Sequence, residues 1–347
     1  MKDHLVIGGG PAGAMLAAGL ATRGKDVTLL ERSSGPHHKV CGEFLSWEAG
    51  RMLRQAGVDV DALKGAPIDR LRLVKGVRQA ETRLPGTATG ISRDRLDEAL
   101  LVHAAARGAD IRRGVHVKAL EDGGARLDDD SVLAAGCVWL ATGKRDLRGA
   151  KRDPSGQKVT DGMIGFKLHL QLAESDAAAI ASTIELHHFS GGYAGLQPID
   201  LGRANLCLLA DGEVAADGWD GVLTHLERFA PRLSERLARA HPLYDRPLAI
   251  SRVPYGYIAQ DEGQILRIGD QLAVIHSFTG DGMAIAIASG IAAGAGTSQA
   301  GLRKLVRPPV RRAAWGYGLL AGGGWPLDLV MRAPALAGFA ARLTRVG

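Results

Sequence analysis

Residues 4–31 read HLVIGGGPAGAMLAAGLATRGKDVTLLE. The run HLVIG (4–8) is short and apolar without helical spacing, which predicts a buried strand. PAGAMLAAGLATRG (11–24) is Ala/Leu-rich, begins with a proline suited to a first helical turn and stops at Gly24, which predicts a helix. DVTLLER (26–32) predicts a second buried strand. Two strands around one helix make a βαβ start, and so an α/β fold with a Rossmann-like parallel sheet.

Gly8-x-Gly10-x-x-Gly13 sits between the first strand and the helix. Gly8 permits the tight turn, Gly10 lets backbone approach a pyrophosphate, and Gly13 lets the helix pack closely on the strand. The helix N-terminus offers N–H groups and a positive dipole end to phosphate. Glu31 closes the second strand 18 residues after Gly13, where an acceptor for ribose hydroxyls is expected. Together these predict dinucleotide binding; the alternative is a structural turn followed by a surface Glu.

Working outward, 47 of the 347 residues are glycine, about twice the usual share, with no collagen period. The excess belongs in loops and tight packings, as nucleotide-binding folds require. Aromatic residues make up only 5%, which argues against a stacking-based binder of single-stranded nucleic acid. Residues 301–347 hold eight basic residues against Asp328, and residues 1–300 are near neutral. The net charge of +6 therefore belongs to the tail and describes no nucleic-acid groove. A basic, apolar tail suits the inner face of a membrane, with a solvated closing helix as the equal alternative. Cys41, Cys137 and Cys207 form no disulfide framework, and no Cys/His spacing predicts a metal. No signal-peptide pattern opens the chain, and Ala313–Met331 is too broken by glycine to span a bilayer, so the expectation is a cytoplasmic protein.

Further along, a helix is predicted around Trp47–Gln55, strands near 69–75 and 79–84, a Ser-started helix at 92–109, and strands near 111–120 and 131–141. From about 150 to 260 the pattern becomes β-type alternation with helices near 219–240. This predicts an inserted antiparallel sheet forming a substrate domain (151–259, with the strands near 69–84 contributing). The dinucleotide domain would then be discontinuous, 1–150 plus 260–300, followed by a basic helical tail at 301–347. Late in the chain, RIGDQLAVIHSFTGDGMAIAIASG (267–290) carries Gly269-Asp270 and Gly280-Asp281-Gly282. A strand ending in Gly-Asp can aim a carboxylate at a ribityl chain, and a glycine-started helix can direct its dipole at a flavin's edge. NAD has no ribityl chain, so this second element points to FAD.

With these motifs the chain resembles the FAD-dependent oxidoreductases of the p-hydroxybenzoate-hydroxylase type, and within them the geranylgeranyl-reductase-like branch. KVCGEF, ISRDRLDEALLVHAAARGA, WLATG and GFKLHL join the glycine and Gly-Asp motifs in the family's order, over about residues 4–295. The resemblance implies that Gly8, Gly10 and Gly13, with Pro11 and Ala12 in the same turn, hold the pyrophosphate. It implies that Glu31, with Arg32 beside it, takes the adenosine ribose, and that Arg93 contacts the phosphate or ribityl region. Gly269 and Asp270 would meet the ribityl chain, Gly280, Asp281, Gly282 and Met283 the ring, and Gly42 and Cys41, a candidate catalytic thiol or else an inert loop thiol, would lie in the loop near the flavin. Where much of the family has a proline before the Thr-Gly pair, this chain has His276-Ser277-Phe278. His276 is therefore a candidate proton donor, or a hydrogen-bonded structural residue. His169, His187 and His188 read as core or surface more readily than as cleft-lining.

No second glycine-turn unit serves a nicotinamide, so the flavin would be reduced by NAD(P)H docking transiently or by a protein electron donor. The resemblance implies a reductase delivering hydride to a carbon–carbon double bond of an apolar small molecule. A monooxygenase hydroxylating an electron-rich ring is the alternative, and a flavin electron carrier or maturation partner is a third. The halogenase signature Trp-x-Trp-x-Ile-Pro is absent.

Overall fold

The computed structural model describes residues 2–121, 124–260, 265–320 and 325–332. β1 (Lys2–Ile7) and β2 (Val27–Glu31) run parallel with His4 opposite Val27 and Ile7 opposite Leu30, and α1 (Pro11–Thr22) crosses between them. Gly24, in the left-handed region at φ 71°, ends the helix as expected. The chain then leaves the parallel sheet for a second layer through β3 (Phe44–Leu45), α2 (Trp47–Gln55), β4 (Ala66–Lys75) and β5 (Arg78–Gly90). It returns along α3 (Arg93–Ala106) to β6 (Asp110–Arg113), which lies parallel beside β2. β7 (Val117–Glu121), β8 (Gly124–Leu127) and β9 (Val132–Leu140) form an antiparallel meander, and the last part of β9 pairs with β1 in parallel. The single strand expected near 111–120 is thus two strands, because Gly114 at φ 68° turns the chain between them.

The rest of the second layer comes from β10 (Ile164–Gln171), α4 (Glu174–Ala179), β11 (Thr183–Phe189), β12 (Gly192–Pro198), β13 (Ala204–Ala210), α5 (Gly218–Phe229), α6 (Pro231–Ala238), β14 (His241–Pro242) and β15 (Leu248–Ile250). Its strand order is β14-β10-β13-β12-β11-β4-β5-β3, with β15 beside β10. All pairings are antiparallel except β11 with β4. β16 (Ile265–Arg267) then rejoins the first sheet parallel to β9, giving the order β6-β2-β1-β9-β8-β7 with β16 on β9. α7 (Gly282–Gly294), α8 (Gln299–Leu320) and α9 (Trp325–Arg332) follow. The fold is α/β, and its described C-terminal part is helical. The remainder of the basic tail, 333–347, lies outside the described residues. No helix among the described residues is long and apolar enough to cross a membrane.

The period of two along the second sheet separates its faces. Phe166, Leu168 and Leu170 of β10 and Leu206 and Leu208 of β13 pack on Val222 and Leu226 of α5. Their alternates, Lys167, His169, Asn205 and Cys207, turn to the opposite side, toward the parallel layer. Small residues bring α1 and α7 into contact: a Cβ on Gly290 would lie 2.4 Å from the Ala12 carbonyl oxygen, and one on Gly294 3.0 Å from the Gly19 Cα. This contact lets both helices end at the same cavity, which is lined by Pro11 and Ala12 of one and Gly282 and Met283 of the other. Gly290→Ala is expected to lose ~1–3 kcal/mol of stability in urea unfolding, since the added methyl meets backbone that cannot swing away.

Candidate functional site

A cavity of about 800 Å³ runs between the layers from Glu31, past the first glycine turn, to the start of α7. That lies within the range of cofactor and ligand sites, and most of its wall is apolar. At one end Gly8, at φ 109°, turns the chain where a Cβ would lie 2.4 Å from the Ala141 carbonyl oxygen. Gly13 does not line the cavity. A Cβ there would fall 2.0 Å from the Gly8 carbonyl oxygen, so its part is the close seating of α1 on the turn. The open side of Gly10 faces two cations: a Cβ on it would lie 3.6 Å from an Arg93 guanidinium nitrogen and 4.0 Å from Lys39 Nζ. An anion seated on the α1 N-terminus would therefore meet the helix dipole and two positive side chains together.

The cations are themselves held. Arg93 forms a two-pronged contact with Asp97 (2.8 and 2.9 Å), and Lys39 bonds the same carboxylate at 2.8 Å. Burial works against the charge on Arg93, but Asp97 and the Cys41 sulfur outweigh it and raise its pKa. Glu31 is buried at the end of β2, with Oε2 accepting from the Gly9 N–H (2.7 Å) and Oε1 from the Ser33 N–H (3.0 Å). Burial pushes its carboxyl up, but Lys39 and those two N–H groups hold it below the usual range, so it is an ionised acceptor at pH 7. Arg32 lines the cavity beside it.

At the other end Gly269, Asp270, Gly280, Gly282 and Met283 line the wall. Asp270 lies 3.7 Å from Lys144 Nζ, and its carbonyl accepts from Arg152 at 3.3 Å. Asp281 does not line the cavity; it is fully buried at the N-cap of α7, and its N–H donates to Thr279 Oγ1 at 3.3 Å. A carboxylate suited to ribose hydroxyls, a phosphate cradle, a second carboxylate and a glycine-started helix suit, in that order, the chemical groups of FAD.

Between these ends Cys41 and Gly42 face the cavity from a loop that is locked on several sides. Asn205 Nδ2 donates to the carbonyls of Cys41 (3.1 Å) and Gly42 (2.9 Å), and Gln197 Nε2 donates to that of Glu43 (3.0 Å). Glu43 takes a left-handed backbone, φ 57°, which a side chain rarely adopts. Its fully buried carboxylate pairs with Lys167 Nζ, meets His169 Nε2 at 2.6 Å and accepts the first N–H of α3, from Arg93, at 2.8 Å. Ser92, expected to cap α3 itself, instead donates through both N–H and Oγ to buried Asp200 at 2.7 Å, so two distant carboxylates cap the helix. Sequence reading missed the roles of Glu43, Lys167, Gln197 and Asn205. One signal was present: Lys167 and His169, two apart in an otherwise apolar strand, had to share a face.

His276 does not line the cavity. Its ring is buried in a stack between Tyr255 (centroids 5.6 Å apart) and Tyr317 (4.3 Å), and burial lowers its pKa to about 4. It is neutral at pH 7 and sits in the ring stack, outside the cavity wall. Its polar neighbours Tyr255, Ser277 and Thr279 do line the cavity, and Ser277 is hydrogen-bonded to Tyr193 on the same wall. Burial pushes the Cys207 thiol up to about 12, so it stays protonated.

The unfolded chain binds a proton at His276 near pH 6.5, the folded chain only near 4. Its contribution to stability is therefore present above about pH 6.5 and falls away as pH drops toward 4. Relative to His276→Phe, the natural chain is expected to lose on the order of 3 kcal/mol between pH 7 and 4, measured by urea unfolding at each pH. Glu43→Ala, which strands Lys167 without its carboxylate, is expected to cost ~3–5 kcal/mol in the same assay.

Known proteins resemble this chain in sequence and fold. Residues 1–132 match the FAD binding domain family. Rifampicin monooxygenase of Rhodococcus hoagii is 29% identical over 209 residues, covering 56% of this chain and 44% of that protein. Digeranylgeranylglycerophospholipid reductase 2 of Methanopyrus kandleri is 29% identical over 308 residues, 84% of this chain and 76% of that protein. The solved structure of the flavin-dependent brominase Bmp2 superposes with a TM-score of 0.76 at 18% identity, over 99% of this chain and 93% of that one, a likeness of fold. The chain spans about half the length of the first curated relatives it matches. Cradle, cavity and relatives agree on FAD as the cofactor, and the chain is similar to FAD-dependent oxidoreductases over most of its length.

Proposed function

We propose that this protein reduces a carbon–carbon double bond in an apolar small molecule, with NAD(P)H as a transient reductant. Bound FAD supplies a two-electron relay between nicotinamide and substrate. The turn at Gly8, Gly10, Pro11 and Ala12, with Arg93 and Lys39, would hold its diphosphate. Glu31 would take the adenosine ribose, Asp270 the ribityl arm, and Gly280, Gly282 and Met283 the ring edge.

The Cys41 thiol is the observation that carries the reading. Hydride addition to one alkene carbon leaves the other needing a proton, and Cys41 Sγ–H is a cavity-facing group that can give it. The positive charges of Arg93 and Lys144, both near the sulfur, would stabilise the thiolate left behind until solvent restores its proton. Leu71, Leu73, Ile184 and Leu186 of the second sheet give the substrate an apolar wall that excludes water. The similarity to Methanopyrus kandleri digeranylgeranylglycerophospholipid reductase 2, over most of both chains, supports the same chemistry. The similarity to rifampicin monooxygenase favours the second reading, hydroxylation of an electron-rich ring.

Anaerobic stopped-flow with NADPH and a polyprenyl alcohol as trial substrate separates the two. NADPH is expected to bleach the flavin, and the alcohol to restore its colour without oxygen. Cys41→Ala should bleach at the natural rate but recover about 100-fold or more slowly, the scale of a lost proton donor. Recovery only after oxygen is admitted, with a hydroxyl gained by the product, would establish the monooxygenase instead.

A further inference from the structure

We infer that the exposed face of α8 is a docking surface for an anionic membrane, and that the cavity opens at that face. Residues 299–320 contain five basic residues and no acidic one. The helix is strictly two-sided. Leu302, Val306, Val310 and Ala313 are buried in the main core, at the three- and four-residue steps of one helical stripe. Lys304, Arg307, Arg311, Arg312 and Trp315 form the opposite, exposed stripe at the same spacing. Trp315 is 71% exposed, an uncommon position for so large an apolar ring.

Arg312, Trp315 and Gly316 also line the cavity. A residue that is largely exposed and yet lines the cavity stands at its mouth, so the basic stripe runs up to the opening. An indole at the edge of a row of cations matches the chemistry of a bilayer interface, where Trp sits at headgroup level and each Lys or Arg gains from anionic lipid. The apolar side of α8 is already used by the core, so the helix would lie on the surface without entering it. Docked this way, an apolar substrate dissolved in the bilayer reaches the cavity without crossing water. The inference rests on the reading of an apolar substrate, but the measurement below does not depend on any reaction.

The test uses the FAD-loaded full chain in co-sedimentation with vesicles of phosphatidylcholine alone or with about one third phosphatidylglycerol, near 0.1 M salt. Binding is expected only to the anionic vesicles and to weaken as salt is raised. The triple variant Lys304→Gln, Arg307→Gln, Arg311→Gln changes no cavity-lining residue and should keep its flavin spectrum. It should lose on the order of 100-fold in vesicle affinity. Lipids brominated near the headgroup should quench tryptophan emission in the natural chain and distinctly less in Trp315→Phe, which places the mouth at the bilayer. Equal binding to neutral vesicles, a triple variant that binds as well as the natural chain, or quenching unaffected by Trp315→Phe overturns the proposal. So does capture of an acidic protein by this face with no vesicle binding.

Discussion

Glu43 ties together three parts of the chain that are far apart in sequence. A buried carboxylate is costly unless every lone pair is answered. Here a lysine and a histidine from β10 and the first N–H of α3 answer it. The same residue carries a left-handed backbone, a local strain that persists only where the surroundings over-determine it. Asn205 and Gln197 supply the rest of that constraint by gripping the carbonyls of residues 41–43. The thiol of Cys41 and the guanidinium of Arg93 are consequently set by one polar knot joining the second sheet to the Rossmann layer.

The two layers divide the labour of the site. The parallel layer contributes backbone and charge: a glycine turn, two helix N-termini, and carboxylates at the ends of short strands. The second sheet contributes shape. Every other residue of β10, β12 and β13 turns to the parallel layer, and the alternates are spent on the α5 and α6 core. Cavity-facing positions of this sheet outside the Glu43 knot, such as Leu71, Leu73, Ile184 and Leu186, can therefore be exchanged without disturbing the phosphate cradle or the α5 packing. The chain's similarity both to a reductase and to a monooxygenase fits such a division.

What the sequence made legible was local. Strand, turn and helix over 4–31 are each specified by neighbouring residues, so periodicity and glycine placement sufficed. The same holds for α2, whose ends at Trp47 and Gln55 follow from Ser46 as its cap and the amphipathic run after it. What could not be read depended on distant partners. Ser92 has the chemistry of a cap, but a buried aspartate from beyond β12 competes for its hydroxyl. His276 has the chemistry of a proton donor, yet two tyrosines, one of them from α8, enclose it. Neither outcome is encoded within ten residues of the group concerned. The split of 111–120 belongs to the other class: Gly114 was visible and was the available signal.

The strands of the second sheet come from two separate stretches, 44–90 and 164–250, with β9 of the parallel layer made between them. Neither layer is therefore a contiguous length of polypeptide. Growth of the nascent chain strands β4 and β5 as a hairpin with one open edge until β11 has been synthesised, more than ninety residues later. High contact order of this kind slows folding and leaves an unpaired edge exposed in the meantime. A dinucleotide clasped between the layers would bind only after both have met, drawing the last step of assembly forward by mass action. Cofactor present during biosynthesis would then bias assembly toward the finished form.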